Sequence, residues 1–227
     1  VTIPAVLRSS AAHVFVDSLG DPVLADGDLH HLARVLRVRD DDVVTVSDGA
    51  GRWRTARLRG DRLDADGPIV EVPARVRATI ATAVPKGDRL EWMVQKLTEL
   101  GVGRIVLVDC ARSVVRWNAE RAAKQIDRLR RVAREAAMQS RQVWLPVVDG
   151  PVPFAAAVLG DGVALADPDG RPAGEAAPWQ TIIVGPEGGL TEAERGYHIP
   201  MVAFSEHILR VETAAVAAAA VFGSVSS

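Results

Sequence analysis

The chain has 227 residues, 48% of them hydrophobic and 25% charged, and a net charge of −2; this is the balance of a soluble globular chain with one large or two small domains and room for a real core. A single cysteine, Cys110, excludes an internal disulfide and a cysteine-ligated zinc. No apolar run is long and uncharged enough to cross a bilayer, and the start VTIPAVLRSS lacks a secretory pattern, so no membrane partner and a cytoplasmic home are expected.

The first β-like runs are HVFV (13–16), VVTVSD (43–48), RWRTARL (52–58) and IVEV (69–72), with turns at SDGAG (47–51) and ADG (65–67). Short strands at this spacing predict a small barrel. One helix interrupts them. Asp28 is its expected cap, Leu29, Leu32, Val35 and Leu36 its apolar stripe, and His30, His31, Arg34 and Arg37 its other side.

After Pro73 the pattern changes to alternating strand and helix, which places a domain boundary between 1–73 and 74–227. ATIATAV (78–84) reads as a strand. The next helix is expected from Asp88 as N-cap, with Glu91 three residues on, a stripe of Leu90, Met93, Val94, Leu97 and Leu100, and Gly101 as its left-handed stop. RIVLVDC (104–110) is apolar throughout, as a strand covered on both faces would be. Asn118 starts a long helix with Ile126, Leu129, Val132 or Ala133, and Ala136 facing inward, while Arg121, Lys124, Arg128 and Arg131 line another face. PVPFAAAVLGDG (151–162) is expected to be a one- or two-turn helix. GVALAD (162–167) and TIIVG (181–185) read as strands, and Glu212 to Phe222 as a closing alanine-rich helix.

Charge is uneven. Between Arg112 and Arg141 there are nine Arg or Lys (112, 116, 121, 124, 128, 130, 131, 134, 141) against three acids (120, 127, 135). That excess is either an RNA-facing patch or a solvated helix face. No phosphate-binding P-loop, dinucleotide fingerprint or nucleophile elbow occurs, and the five histidines have no metal-ligand spacing, so no metal is expected. Four corners remain at the C-terminal ends of expected strands, where open α/β sheets bind ligands: DCARSVVRW (109–117), LADPDG (165–170), VGPEGG (184–189) and AFSEHILRVETAA (203–215). Gly185, Gly188 and Gly189 allow close backbone approach, and Glu187 adds an acceptor. The VGPEGG corner is either a plain turn or a ligand corner. As a ligand corner, being acidic and lysine-free, it suits a neutral or cationic ligand better than a polyphosphate.

The ordered set VPKGDRLEWMVQKLTELGVGRIVLVDCARSVVRW, REAAMQSRQVWLP, IIVGPEGGLTEAE and HILRVETAAVAA resembles the RsmE-type 16S ribosomal RNA uracil-N3 methyltransferases of the SPOUT class. LHHLARVLRVRDDDVVTVSDGAGRWRTARL is similar to their PUA-like RNA-binding domain. The resemblance implies an α/β SPOUT domain with a trefoil knot and a mostly parallel sheet, behind a small PUA-like β-barrel domain. It also implies a homodimer, S-adenosylmethionine as cofactor, and 16S rRNA in the assembled 30S subunit as partner. The cofactor slot would be Leu165, Ala166, Gly185, Glu187, Gly188, Gly189, Phe204, Ile208 and Leu209. Arg210 is the candidate for steadying the target or its phosphate. Glu212 is either the base for uracil N3 or the cap of a helix N-terminus. Arg34, Arg37, Arg112, Arg116 and Arg141 are RNA-contact candidates, with Arg141 or Gln142 matching the family's arginine; Lys96 and Glu99 read as scaffold. The chain departs from the family at 204–207, Phe-Ser-Glu-His in place of Leu-Gly-Pro-Arg, and is shorter over 195–203. Two other readings stay open: a non-catalytic RNA-binding or assembly protein, and a methyltransferase of the same class acting at another RNA position.

Overall fold

The first half of the chain makes the strands β1 (His13–Phe15), β2 (Val43–Ser47), β3 (Arg52–Arg59) and β4 (Arg62–Glu71). They form a four-stranded sheet in that order, with β1 and β2 parallel and the other pairs antiparallel. The computed structural model describes residues 4–25, 27, 28, 32, 38–74, 78–175 and 179–222. These divide into an N-terminal unit, Val1–Ala74 with Arg134–Leu145, and a C-terminal unit, Arg75–Ala133 with Pro146–Ser227.

In the N-terminal unit, Val14, Val44, Val46, Ala56, Leu58 and Leu63 pack with Leu32, Ala137 and Met138. The expected turn at 65–67 is not a turn. β4 runs through it, pairing Val70 with Trp53 and Asp66 with Thr55, so that residues 67–69 bulge opposite Arg54. Gly67 takes φ +74° there, a left-handed conformation glycine adopts without strain. The chain reverses instead at Gly60, between the partners Arg59 and Arg62. Asp28 is buried, and its carboxylate accepts from Arg134 at 2.7 and 3.0 Å. Leu32 of the expected stripe is buried, while Leu29, His30, His31, Val35 and Leu36 lie outside the described residues.

The C-terminal unit is built on β5 (Thr79–Ala83), β6 (Arg104–Asp109), β7 (Val147–Pro153), β8 (Val163–Pro172), β9 (Thr181–Val184) and β10 (Met201–Ala203). Their order is β10-β8-β9-β5-β6-β7, and every neighbouring pair is parallel. Successive residues point to opposite faces, and each face has its own core. Ile80, Ile105, Leu107, Ala164, Ile182 and Val184 meet the helices Arg89–Glu99, Ala119–Gln139 and Val211–Phe222. Ala81, Ala83, Val106, Val108, Leu165 and Ile183 meet Phe154 and Leu190 on the other side.

Local signals fare unevenly. Asn118 Oδ1 accepts from Arg121 N at 2.9 Å, the expected cap. Ala133, 2% exposed, is the inward residue and Val132 only half-buried. Gly101 at φ +81° follows the helix Arg89–Glu99 as expected. Asp88 precedes that helix but makes no side-chain cap bond, and Glu91 pairs with Arg128 at 2.7 Å instead of completing a capping box. Leu100 is exposed rather than part of the stripe. The one- or two-turn helix expected within 151–162 is the single turn Phe154–Ala157, and β7 takes the residues up to Pro153. β8 continues beyond 167 to Pro172, and β10 is a strand that periodicity does not reveal.

Candidate functional site

At the C-terminal end of β6 the chain folds back on itself. Ser113 N donates to Cys110 O at 3.0 Å, and Cys110 N donates to Ser113 Oγ at 3.1 Å. This small loop presents Ala111 and Arg112 toward the corner that follows β9. In that corner Gly189 N donates to Pro186 O at 2.8 Å, and Gly189 sits at φ +69°.

Glu194 joins the two corners. It completes a capping box with Thr191: Glu194 N donates to Thr191 Oγ1 at 3.3 Å, and Thr191 N donates to Glu194 Oε2 at 2.8 Å. Its other oxygen, Oε1, accepts from Ala111 N at 2.7 Å. Burial alone would raise this carboxyl's pKa, but the Thr191 and Ala111 bonds, with Arg112 nearby, hold it below the ordinary glutamate range. Arg112 adds a second tie, donating through Nη1 to Gly188 O and Leu190 O, both at 3.3 Å. Gly188 packs so close that a Cβ would sit 3.3 Å from both the Cβ and the carbonyl oxygen of Arg112. Arg116 Nη2 donates to Ala111 O at 2.8 Å. Burial first, then Glu194, pushes the Cys110 thiol up to about 12, so it stays protonated and offers no nucleophile.

The corner at 165–170 and β10 share an unusual register. Met201 pairs with Leu165 and the next residue, Val202, with Arg171, so residues 166–170 stand out between two consecutive partners. A Cβ on Gly170 would collide with the backbone of Met201 and Val202, which only glycine avoids. Asp167 accepts from Asp169 N at 3.1 Å and lies 3.6 Å from Arg195. Leu165, Glu194, Arg195, His198, Ile199 and Met201 line a cavity of about 330 Å³. From β10 the chain continues through Phe204, whose ring stands edge-on to Phe222 at 5.9 Å, to Ile208, which is 91% exposed. Arg210 is exposed; Glu212, two residues on, is buried, and its Oε1 lies 3.0 Å from Arg89 Nη1.

The structure thus ties Gly188, in the glycine corner, to Arg112, while Arg116 braces the β6 loop through Ala111 O and Arg210 precedes the buried Glu212 by two residues. Leu165 and Ala166 part company: Leu165 joins the face with Phe154, and Ala166 the face with Phe204. Ile208 and Leu209 lie on the segment between Phe204 and Arg210, Ile208 in solvent and Leu209 half-buried. Arg141 belongs to the N-terminal unit, at φ +60°, and its Nη2 donates to Ser10 O at 3.1 Å. Burial lowers its pKa. The main chain of Gln142, the alternative match, accepts from His13 at 2.9 Å. Arg34 and Arg37 fall outside the described residues. Lys96 and Glu99 pair with each other at 2.8 Å. Among the described residues no cluster of metal-ligating side chains occurs, and no helix is long and apolar enough to cross a membrane. Two contributors were not anticipated. Glu194 was readable from the Thr-x-x-Glu spacing in LTEAE, whereas nothing local marks Arg89.

Residues 72–223 match the family described as RNA methyltransferase domain, and residues 24–64 the RNA methyltransferase PUA domain. The chain is 30% identical to the ribosomal RNA small subunit methyltransferase E of Mycobacterium bovis, over 94% of this chain and 91% of that protein. It is 31% identical to the Bacillus subtilis protein of the same name, over 74% of each. Among solved structures, that of a ribosomal RNA small subunit methyltransferase E from Neisseria gonorrhoeae, bound to S-adenosyl methionine, aligns with a TM-score of 0.76 at 28% identity. It covers 92% of this chain and 95% of the gonococcal one.

Proposed function

The chain belongs to the ribosomal RNA small subunit methyltransferase E family of RNA methyltransferases, and from that premise we propose that it methylates N3 of a uridine in 16S rRNA. It is an α/β protein of SPOUT type with a separate small PUA-like domain, and an S-adenosylmethionine-dependent RNA methyltransferase. The observation that carries the reading is the stitched pair of corners. A glycine-rich, lysine-free loop ending β9 is held by Arg112 and Glu194 against a basic loop ending β6.

The residues present suit the cofactor. Ile208 offers an uncovered apolar surface for an adenine, and Glu187 is an exposed acid near a corner that would receive a sulfonium. When bound, S-adenosylmethionine supplies an electrophilic methyl group, transferred to uracil N3 as the carbon–sulfur bond breaks and its electron pair goes to sulfur. The protein's share is then positioning and the handling of charge and proton. Gly185, Glu187, Gly188, Gly189, Phe204, Ile208 and Leu209, with Leu165 and Ala166, are assigned to the cofactor. Arg112 and Arg116 are assigned to the RNA, as are Arg34, Arg37 and Arg141. Arg210 is assigned to the target uridine or its phosphate, and Glu212 to the site's charge arrangement. Residues 1–73 serve as the RNA-binding domain and 74–227 as the catalytic one. The finer expectations are a trefoil knot around the cofactor, a homodimer, action on the assembled 30S subunit and a cytoplasmic setting.

Calorimetry with S-adenosylmethionine, followed by transfer to small subunits from a strain lacking this protein, tests the reading. Binding and a 3-methyluridine product are expected. An absence of cofactor binding sinks the enzymatic reading, and another methylated nucleoside moves the target site.

A further inference from the structure

Arg89 opens the helix Arg89–Glu99, and Lys86 lies three residues before it. A helix N-terminus already carries free N–H groups and partial positive charge, so a cation there is misplaced by about 0.3–1 kcal/mol for the helix alone. The position makes sense through its partner. Glu212, in the first turn of the helix Val211–Phe222, sits where an acid is favoured, and its side chain is 8% exposed. Its Oε1 meets Arg89 Nη1 at 3.0 Å, and its Oε2 is buried without a hydrogen-bond partner among the described residues. Arg89 keeps 44% of its side chain in solvent. The helix that Arg89 opens follows the C-terminal end of β5, which pairs with β9 up to Thr82 and Val184. Arg210, exposed, directly precedes the helix that carries Glu212.

We propose that Arg89 is a substrate-facing cation of this site and that Glu212 is its anchor, not the base that deprotonates uracil. The inference rests on the methyltransferase reading above. The carboxylate is buried and already engaged by the guanidinium, whereas Arg89 keeps 44% of its side chain in solvent, so the cation and not the acid is the member of the pair that RNA can reach. Held by Nη1, the half-exposed guanidinium has further donors to offer in the planar geometry that suits an anionic oxygen. Arg210, exposed two residues before Glu212, is a second cation on the same segment as that acid, and together Arg89 and Arg210 call for an anionic oxygen. RNA supplies two such oxygens: a backbone phosphate, or O2 and O4 of the uracil once N3 has lost its proton. In the second case the N3–H bond breaks, its electron pair stays on the ring, the proton passes to water, and the guanidinium steadies the ring anion.

The test compares Arg89→Ala, Glu212→Gln and the double variant in transfer to small subunits from a strain lacking the protein. Cofactor affinity and melting temperature are measured alongside. The double variant removes both charges, leaves no buried unpaired carboxylate, and is expected to melt near the wild type. Arg89→Ala and the double variant are each expected to lose about 100-fold in kcat/KM, with unchanged cofactor affinity. Glu212→Gln, which leaves the cation but loosens it, is expected to lose about 10-fold. A loss in kcat that recovers as pH rises points Arg89 at the uracil anion. A rise in KM with weaker salt dependence points it at phosphate. Near-wild-type transfer by the double variant overturns the proposal. So does a Glu212→Gln loss as large as the double variant's while Arg89→Ala stays active, which would make Glu212 the base. A wild-type protein that transfers no methyl group overturns the proposed function itself, a different failure.

Discussion

Two arginine–carboxylate pairs, one in each unit, are made from the same parts and completed differently. In the N-terminal unit Arg134 grips both oxygens of Asp28, at 2.7 and 3.0 Å, and its Nη2 also donates to Phe15 O at 3.0 Å. Its guanidinium lies over the Phe15 ring at 5.8 Å. In the C-terminal unit Arg89 holds one oxygen of Glu212, the other has no partner among the described residues, and the arginine is more exposed, 44% against 31%. A desolvated ion pair stabilises a fold only when its remaining donors and acceptors are used up. By that measure the first pair is closed, and the second is open, with one carboxylate oxygen unsatisfied among the described residues.

The largest expected effect tests the closed member. Asp28→Ala leaves Arg134 half-buried beside Phe15 without its carboxylate, and the expected cost is about 3 kcal/mol. Urea unfolding reads it directly. A loss under about 1 kcal/mol would put this pair with ordinary surface bridges and dissolve the contrast.

His13 sharpens the same side of the comparison. It is 2% exposed, and both ring nitrogens are used, Nδ1 with Thr45 Oγ1 and Nε2 with Gln142 O, each at 2.9 Å. Nε2 must donate to the carbonyl, which leaves Nδ1 to accept from the hydroxyl. Burial pulls the pKa down from 6.5 to about 4, against the opposing Gln142 bond and with help from Arg141. The unfolded chain therefore takes up a proton as pH falls below 6.5, while the folded chain holds off until about 4. Stability is flat above that window and falls within it, by up to about 3 kcal/mol. Relative to His13→Gln, the wild type is expected to lose this amount between pH 7 and pH 4; parallel stability curves would show that His13 is not the group responsible.

On the open side, Arg210→Ala is expected to lose about 100-fold in transfer, equivalent to about 2.7 kcal/mol of transition-state stabilisation. Its unfolding midpoint should stay put, because Arg210 is exposed. Near-normal kcat/KM would remove it from the site.

The same contrast governs what could be read in advance. The buried parallel strands were legible because a strand covered on both faces is apolar throughout, and each of them splits between two cores as that requires. β7 was hidden by Gly150, Pro151 and Pro153, turn-like residues that an edge strand tolerates. The bulge at Gly67 carries the same Asp-Gly signal as a hairpin, and only pairing to β3 tells them apart. In the site, the glycine corner and Arg112 are local features, and the structure places them in contact. Glu212 stands out in sequence as a base or a cap, but nothing local ties it to Arg89, and their meeting depends on two helices packed on one face of the sheet. Contacts of that kind have no periodicity to announce them.

Glu194 lies between these cases, and its substitution makes the smallest and most diagnostic change. Half of its role is local, the capping box with Thr191, and half is long-range, the bond from Ala111 N at 2.7 Å. Glu194→Gln keeps the shape and one acceptor but sets an amide NH₂ against a backbone N–H, at an expected cost of about 1–2 kcal/mol near neutral pH. The folded pKa of this carboxyl is lowered, so its contribution is present above the ordinary glutamate pKa and fades as pH falls through the lowered folded value. The gap between wild type and variant should therefore close in acid. Because Oε1 secures the β6 corner to the β9 corner, cofactor affinity should fall with it, while the Arg89–Glu212 pair, which shares no contact with Glu194 among the described residues, is untouched. A variant that loses stability but binds cofactor as before would mean the two corners hold their places without the stitch, and that Glu194 caps a helix and does nothing more.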